Sequence, residues 1–206
     1  MSGNRHRLVM ASFLVGWAMA ALSTAPASAA LTHYRGVETQ SAWESVTGSW
    51  GTLDFTGFQP GHHLTNEYEA EFGVVFTDTT NYVDLEYPFG YPNDGWALVT
   101  GTFAQYIQFD LADPIDSIAF FHPGRLTITL WLGDELVGQG GDYLAGPGNF
   151  YGITSTTPFD RVRIDDEAGI AFVDDIRLGM AVPGPGALAT LAFGLLGSGR
   201  RRGLTR

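Results

Sequence analysis

Leu126-Thr127-Ile128-Thr129-Leu130-Trp131-Leu132 has an aliphatic residue at every second position, with Thr127, Thr129 and Trp131 between. A period of two places Leu126, Ile128, Leu130 and Leu132 on one face of a strand, turned toward a core. Gly133-Asp134 then supplies a two-residue turn, and Glu135-Leu136-Val137-Gly138 resumes extended chain. This spacing predicts a β-hairpin. The same period extends in both directions. Upstream, Gln105, Ile107, Phe109 and Leu111 share a face, as do Ile118 and Phe120. Downstream, Val162 and Ile164 alternate with Arg161 and Arg163, and Phe172, Asp174, Ile176 and Leu178 are expected to line one face of a last strand. Further strands are expected over 52–55, 73–76, 82–86 and 96–100. No amphipathic helical period persists; one helical turn is expected over 64–70, with Thr65 capping it ahead of Glu67, Glu69 and Glu71. Short strands punctuated by Gly, Pro, Asn and Asp predict an all-β fold, a two-sheet jelly-roll-like β-sandwich, rather than βαβ units.

The chain has 206 residues. Its middle, residues 30–181, is long enough to bury roughly 70% of its unfolded surface without staples. There is no cysteine, so disulfides, thiolate metal sites and a Cys nucleophile are all excluded. All 22 acidic residues lie between Glu38 and Asp175, while residues 30–181 hold only five arginines and no lysine, for a net −17 against −11 for the whole chain. A surface this anionic repels phosphate backbones, which excludes nucleic acid as a partner.

The ends read as export signals. Residues 1–29 form a secretory signal peptide: Arg5, His6 and Arg7 make a positive start, an apolar run goes from Leu8 to Leu22, and Ala27-Ser28-Ala29 is the small-residue cleavage site. At the other end Val182-Pro183-Gly184-Pro185-Gly186 closes the domain. An apolar stretch from Ala187 to Gly199 follows, expected to be helical, and then Arg200-Arg201-Arg202. An apolar segment backed by arginines keeps a C-terminus on the cytoplasmic side. Residues 182–206 resemble the PEP-CTERM sorting signal of Gram-negative bacteria, although Gly184 stands where that signature has glutamate and four residues follow the arginines. The resemblance implies an exosortase-type processing enzyme as partner, passage through the inner membrane, and a final place at the cell surface or in an exopolysaccharide matrix. An ordinary C-terminal transmembrane anchor is the other reading of the same residues, and both put the domain outside the inner membrane.

Within the domain, the stretches from Gly61 to Tyr68, from Phe72 to Phe76 and from Ala171 to Leu178 resemble bacterial extracellular sandwich domains, many of lectin or carbohydrate-binding type. Tyr87, Phe89, Tyr91, Asn93, Asp94 and Trp96 are the candidate ligand contacts, since aromatic rings stack on sugars while Asn and Asp bond hydroxyls. Asp165-Asp166-Glu167 and Asp174-Asp175 bracket a turn, and Asp54 and Glu67 join Asp174 if their strands are neighbours; this set is the candidate Ca²⁺ site. An inward-facing Asp174 needs a partner, and calcium, an arginine or backbone N–H groups would each serve. The His62-His63 pair reads as solvent-facing loop. No nucleophile elbow, zinc-protease or phosphate-loop motif occurs, so a non-enzymatic protein is expected. Three functions follow: a surface protein binding polysaccharide with calcium, a structural matrix protein without a ligand, or a hydrolase or lyase built on one of the many carboxylate pairs.

Overall fold

The computed structural model describes residues 29–78, 80–85, 96–100, 106–143, 148–166 and 171–181. The expected signal peptide (1–29, all but its last residue) and the expected sorting tail (182–206) lie outside them. No helix among the described residues is long and apolar enough to cross a membrane.

The fold is all-β, with ten strands in one antiparallel network: β1 (Leu31–Arg35), β2 (Thr47–Leu53), β3 (Val74–Phe76), β4 (Asn81–Leu85), β5 (Trp96–Thr100), β6 (Tyr106–His122), β7 (Leu126–Leu132), β8 (Glu135–Asp142), β9 (Asn149–Asp166) and β10 (Phe172–Ala181). Two strands, β6 and β9, are long enough to run through both layers of a sandwich. Their pairing is irregular between Asp110 and Ser117, which divides each into two halves. The first layer joins β3, the start of β6, the end of β9, β7 and β8. The second joins β1, the start of β9, the end of β6, β10 and β2, with β5 and β4 continuing from the first residues of β10.

The expected hairpin is present: Leu132 pairs with Glu135 across Gly133-Asp134, and Gly133 holds φ 58, a left-handed value that glycine adopts without strain. Leu126, Ile128 and Leu130 are buried as the alternation requires, with Ile107, Phe109, Ile118, Phe120, Val162 and Ile164 in the same core. The layers approach closely at β8. A Cβ on Gly138 would stand 2.6 Å from Leu31 Cδ1, and one on Gly140 2.4 Å from His33 Cε1. Only hydrogen in place of a side chain lets β1 lie against this strand.

No helical period marks 40–46, yet α1 (Gln40–Val46) forms there, preceded by a 3-10 turn at Val37–Thr39. Its one buried residue is Trp43, and its Glu44 accepts from Arg177 Nη1 of β10 at 2.8 Å. Trp43, fully buried, packs on Ala119, Phe121 and Phe150 on the outer face of the second layer, and its indole N–H donates to the Ile153 carbonyl at 3.3 Å. The end of β6 is therefore covered on both faces, and every residue from Ser117 to His122 is buried.

Two expectations are corrected. The helical turn is α2 (Glu69–Phe72), later than 64–70 and without a side-chain cap. Thr65 does not cap it, because the Thr65 backbone N–H donates to Glu67 Oε2 at 2.6 Å in the turns that precede the helix. In β10 the alternation slips. Asp175 holds φ 47 and the pairing with β6 shifts between Asp174 and Arg177, a β-bulge. Asp174 pairs with Phe121 and Phe172 packs with the Trp43 cluster, whereas Ile176 and Leu178 enter the main core. Phe172 and Asp174 are thus on the opposite face from Ile176 and Leu178.

Candidate functional site

The outer face of the first layer is made by the polar half of the alternation that builds the core. Residues paired across antiparallel strands share a face, so the register lays out this surface in rows. Trp131 of β7 is opposite Arg161 of β9, and Arg161 is opposite Asp110 of β6. The next row is Thr129, Arg163 and Gln108; the third is Thr127, Asp165 and Tyr106. Of these nine, only Thr129 is buried, closed in by its neighbours; the other eight are half-exposed, so no described segment lies over the face as α1 lies over the other one.

Each long side chain is held. Arg161 Nε donates to Asp110 Oδ1 at 2.8 Å, a contact that pushes the guanidinium further above its ordinary value. Arg163 donates twice to Asp165, from Nε at 2.9 Å and from Nη2 at 2.6 Å, and its Cζ sits 3.9 Å from the centre of the Tyr106 ring. Tyr106 is thus the bed on which a planar guanidinium rests, an attraction between cation and π-face. Gln139 Nε2 donates to Thr129 Oγ1 at 3.2 Å, and Gln108 Nε2 to Thr77 Oγ1 at 3.0 Å. At one end Trp131 pairs with Leu136, which is 58% exposed. Trp131 and Leu136 thus lie at one edge of the surface, in the row of Arg161 and Asp110, and Arg163 in the middle row leans on Tyr106 of the third. At two strand spacings across and four residues along, Trp131 and Tyr106 lie about 16 Å apart. Flat, amphipathic and pre-positioned, it can stack a ring at one end and bond hydroxyls along its length.

A different polar group is sealed between the layers. His122 Nε2 stands 3.2 Å from Asp142 Oδ2, with both side chains fully buried, and His122 Nδ1 donates to the Gly124 carbonyl. Beside them His33 Nδ1 meets the Tyr151 hydroxyl at 2.9 Å, and Arg35 Nε donates to the Gly141 carbonyl at 2.9 Å. Burial holds both imidazoles below their usual pKa. This pair is built like a general-base dyad, but both of its side chains are fully buried.

The structure distributes the other residues as follows. Tyr87, Phe89, Tyr91, Asn93 and Asp94 lie outside the described residues. Trp96 is half-buried against the main core, and its pairing with Leu85 holds the two ends of that stretch opposite each other. Asp54 is exposed and accepts from Thr56 Oγ1 at 2.8 Å; it follows Leu53, which pairs with Ile176, so β2 does bring it beside the β10 bulge. Glu67 is engaged elsewhere, 2.9 Å from His62 Nε2, and its carboxyl is held below the usual range by hydrogen bonds from Thr65 and His62 against the opposing effect of burial. Asp174 is buried and accepts the Asp175 backbone N–H at 2.7 Å. Among the described residues no three His, Cys, Asp or Glu side chains form a group that could hold a metal ion.

No family model matches this chain, and no curated protein does. Solved structures similar to it include a mutant of CBM29-2, a family 29 carbohydrate binding module, at 12% identity over 65% of this chain and 94% of that one, with a TM-score of 0.42. A second CBM29-2 mutant aligns at 11% identity over 65% of this chain and 92% of that one, with a TM-score of 0.39. A Ruminococcus gnavus GH29 fucosidase in complex with fucose aligns at 14% identity over 57% of this chain and 29% of its own, with a TM-score of 0.32. The all-β fold of this chain stands on its own strand pairings.

Tyr106, Gln108, Asp110, Thr127, Trp131, Arg161 and Arg163 were not singled out by sequence as site residues, and Asp165 was offered only as a calcium ligand. The trace was there in the polar half of each strand, where two of the domain's five arginines sit two residues apart among inward-facing Val162 and Ile164.

Proposed function

We propose that this chain is an exported, non-catalytic protein of the cell surface or matrix that binds polysaccharide through the open face of the first layer. The observation that carries the reading is that face itself: Trp131 and Leu136 at one end, Arg163 held flat on Tyr106 at the other, and amide and hydroxyl groups between. Polysaccharides present alternating apolar ring faces and hydroxyl rims, and such a surface is complementary to both. The sealed His122–Asp142 pair supports a binding role over a hydrolytic one, because an acid–base group must come within hydrogen-bond reach of the substrate. Export rests on the two terminal segments, and processing at the tail is done to this chain by another enzyme.

The test is affinity electrophoresis of the purified protein through gels containing a panel of polysaccharides. Retardation by at least one is expected, with Trp131→Ala weakening it by roughly tenfold, the loss of one stacked ring contact at about 1–1.5 kcal/mol. If no polysaccharide retards the wild type, the protein is a structural matrix component instead.

A further inference from the structure

We infer that the polysaccharide taken by this face is electrically neutral, recognised by stacking and hydroxyl hydrogen bonds with no ionic attraction. The inference rests on the reading that the open face is the binding site, and it follows from the charge on that face. Arg161 and Arg163 are the cations of the three rows, and each already has a carboxylate against it: Asp110 at 2.8 Å from Arg161, Asp165 at 2.6 Å from Arg163. Asp134, fully exposed at the edge, stands 4.0 Å from Arg161 and adds negative charge there. Asp160, on the same edge, accepts the Gly133 N–H at 2.8 Å and adds another.

A uronate, sulfate or phosphate group arriving here would have to displace Asp110 or Asp165 from its arginine, exposing a carboxylate beside its own charge. It would do so on a domain carrying −17. Long-range repulsion extends over about 8–10 Å at ordinary ionic strength, enough to reach the whole face from its acidic surroundings. A neutral glycan meets none of this. A guanidinium has five N–H donors and a carboxylate two oxygens, so a pair of adjacent hydroxyls can donate to the carboxylate and accept from the guanidinium without breaking the ion pair. Gln108, Gln139, Thr127 and Thr129 are neutral donors and acceptors of the same kind.

The experiment compares two neutral polysaccharides, a β-glucan and a mannan, with a polyuronate, by calorimetric titration of the full chain at about 50 mM and about 500 mM salt, a range over which charge attraction is screened out. The wild type is expected to bind at least one neutral polymer with an affinity that changes by less than about twofold across that range, and to leave the polyuronate unbound. Asp165→Asn frees the charge of Arg163 and is expected to create polyuronate binding that high salt abolishes, while a cooperative thermal melt and an unchanged far-ultraviolet circular dichroism spectrum show that the variant is folded. Salt-sensitive polyuronate binding by the wild type would overturn the neutral assignment and leave the site in place. Binding of neither class would overturn both the assignment and the reading beneath it.

Discussion

The two outer faces of the sandwich obey the same alternation and meet opposite surroundings. On the second layer the outward residues Ala119, Phe121 and Phe150 are apolar and lie under Trp43. On the first, Thr127, Trp131, Arg161, Arg163 and Tyr106 stand open. A sheet face becomes core or binding surface according to whether its outward residues can be covered. One helix with one anchoring tryptophan is enough to make the difference. The face that is left open carries paired charges, with Trp131 in its first row and Tyr106 in its third, and charges of this kind are costly to bury and useful to keep wet.

Removing the cover tests this most severely. Trp43→Ala takes away a fully buried indole and the hydrogen bond to Ile153. Loss of about 3–5 kcal/mol of stability is expected, read from denaturant or thermal melts. Trp131→Ala, on the open face, is expected to cost less than about 1 kcal/mol while weakening glycan binding. Equal losses at the two tryptophans would mean that the first layer's face is also a packed one.

The strands and the identity of the core residues were legible because period-two alternation is a local property: Leu126, Ile128 and Leu130 had to share a face whatever lay above them. The run Ile118-Ala119-Phe120-Phe121, apolar at every position, also carried the sign of a segment buried on both sides. What covers the outer side was hidden, since α1 is too short to show a helical period. The slip at Asp175 was equally hidden, because an Asp in a left-handed bulge looks like any other polar position of a strand. The site was half legible. Arg161 and Arg163 visibly point outward, but their rows are assembled by register between residues about fifty apart, and Asp110 opposite Arg161 cannot be found from spacing. Glu67, offered as a calcium ligand, has a partner close by in the chain. His62, five residues back, satisfies it locally.

The sealed pair sharpens the contrast through pH. His122 is fully buried and faces Asp142 from β8, Asp166 at the end of β9 and the Tyr151 ring. His33 faces the Tyr151 hydroxyl, with Arg35 two residues along the same strand. Burial lowers the pKa of both imidazoles, the Asp142 carboxylate opposing this at His122 and the Arg35 charge adding to it at His33. In the unfolded chain each takes up a proton near about 6.5, whereas the folded protein resists protonation until lower pH. The unfolded state then binds more protons, so stability is full above about pH 6.5 and falls as pH drops through that value, by up to about 1.4 kcal/mol per pH unit for each histidine. Melts between about pH 7.5 and 5 read it. A stability that climbs toward pH 5 would mean that Asp142 holds a charged imidazole in the fold.

The smallest effect is expected where the charges are most visible. Arg161 and Asp110 make a 2.8 Å ion pair with side chains 35% and 41% exposed. Exposed pairs of this kind contribute about 0.2–1 kcal/mol, because water screens the attraction and two long side chains lose freedom in forming it. A double-mutant cycle of Arg161→Ala and Asp110→Ala is therefore expected to give a stability coupling below about 1 kcal/mol. The same cycle read on glycan affinity should give a coupling well above that, since stacking of a sugar against Trp131 excludes water from the pair and raises its worth. A pair that couples strongly in stability and not in binding would belong to the fold. The open face would then be ordinary solvated surface, and the difference between the two faces would be one of packing alone.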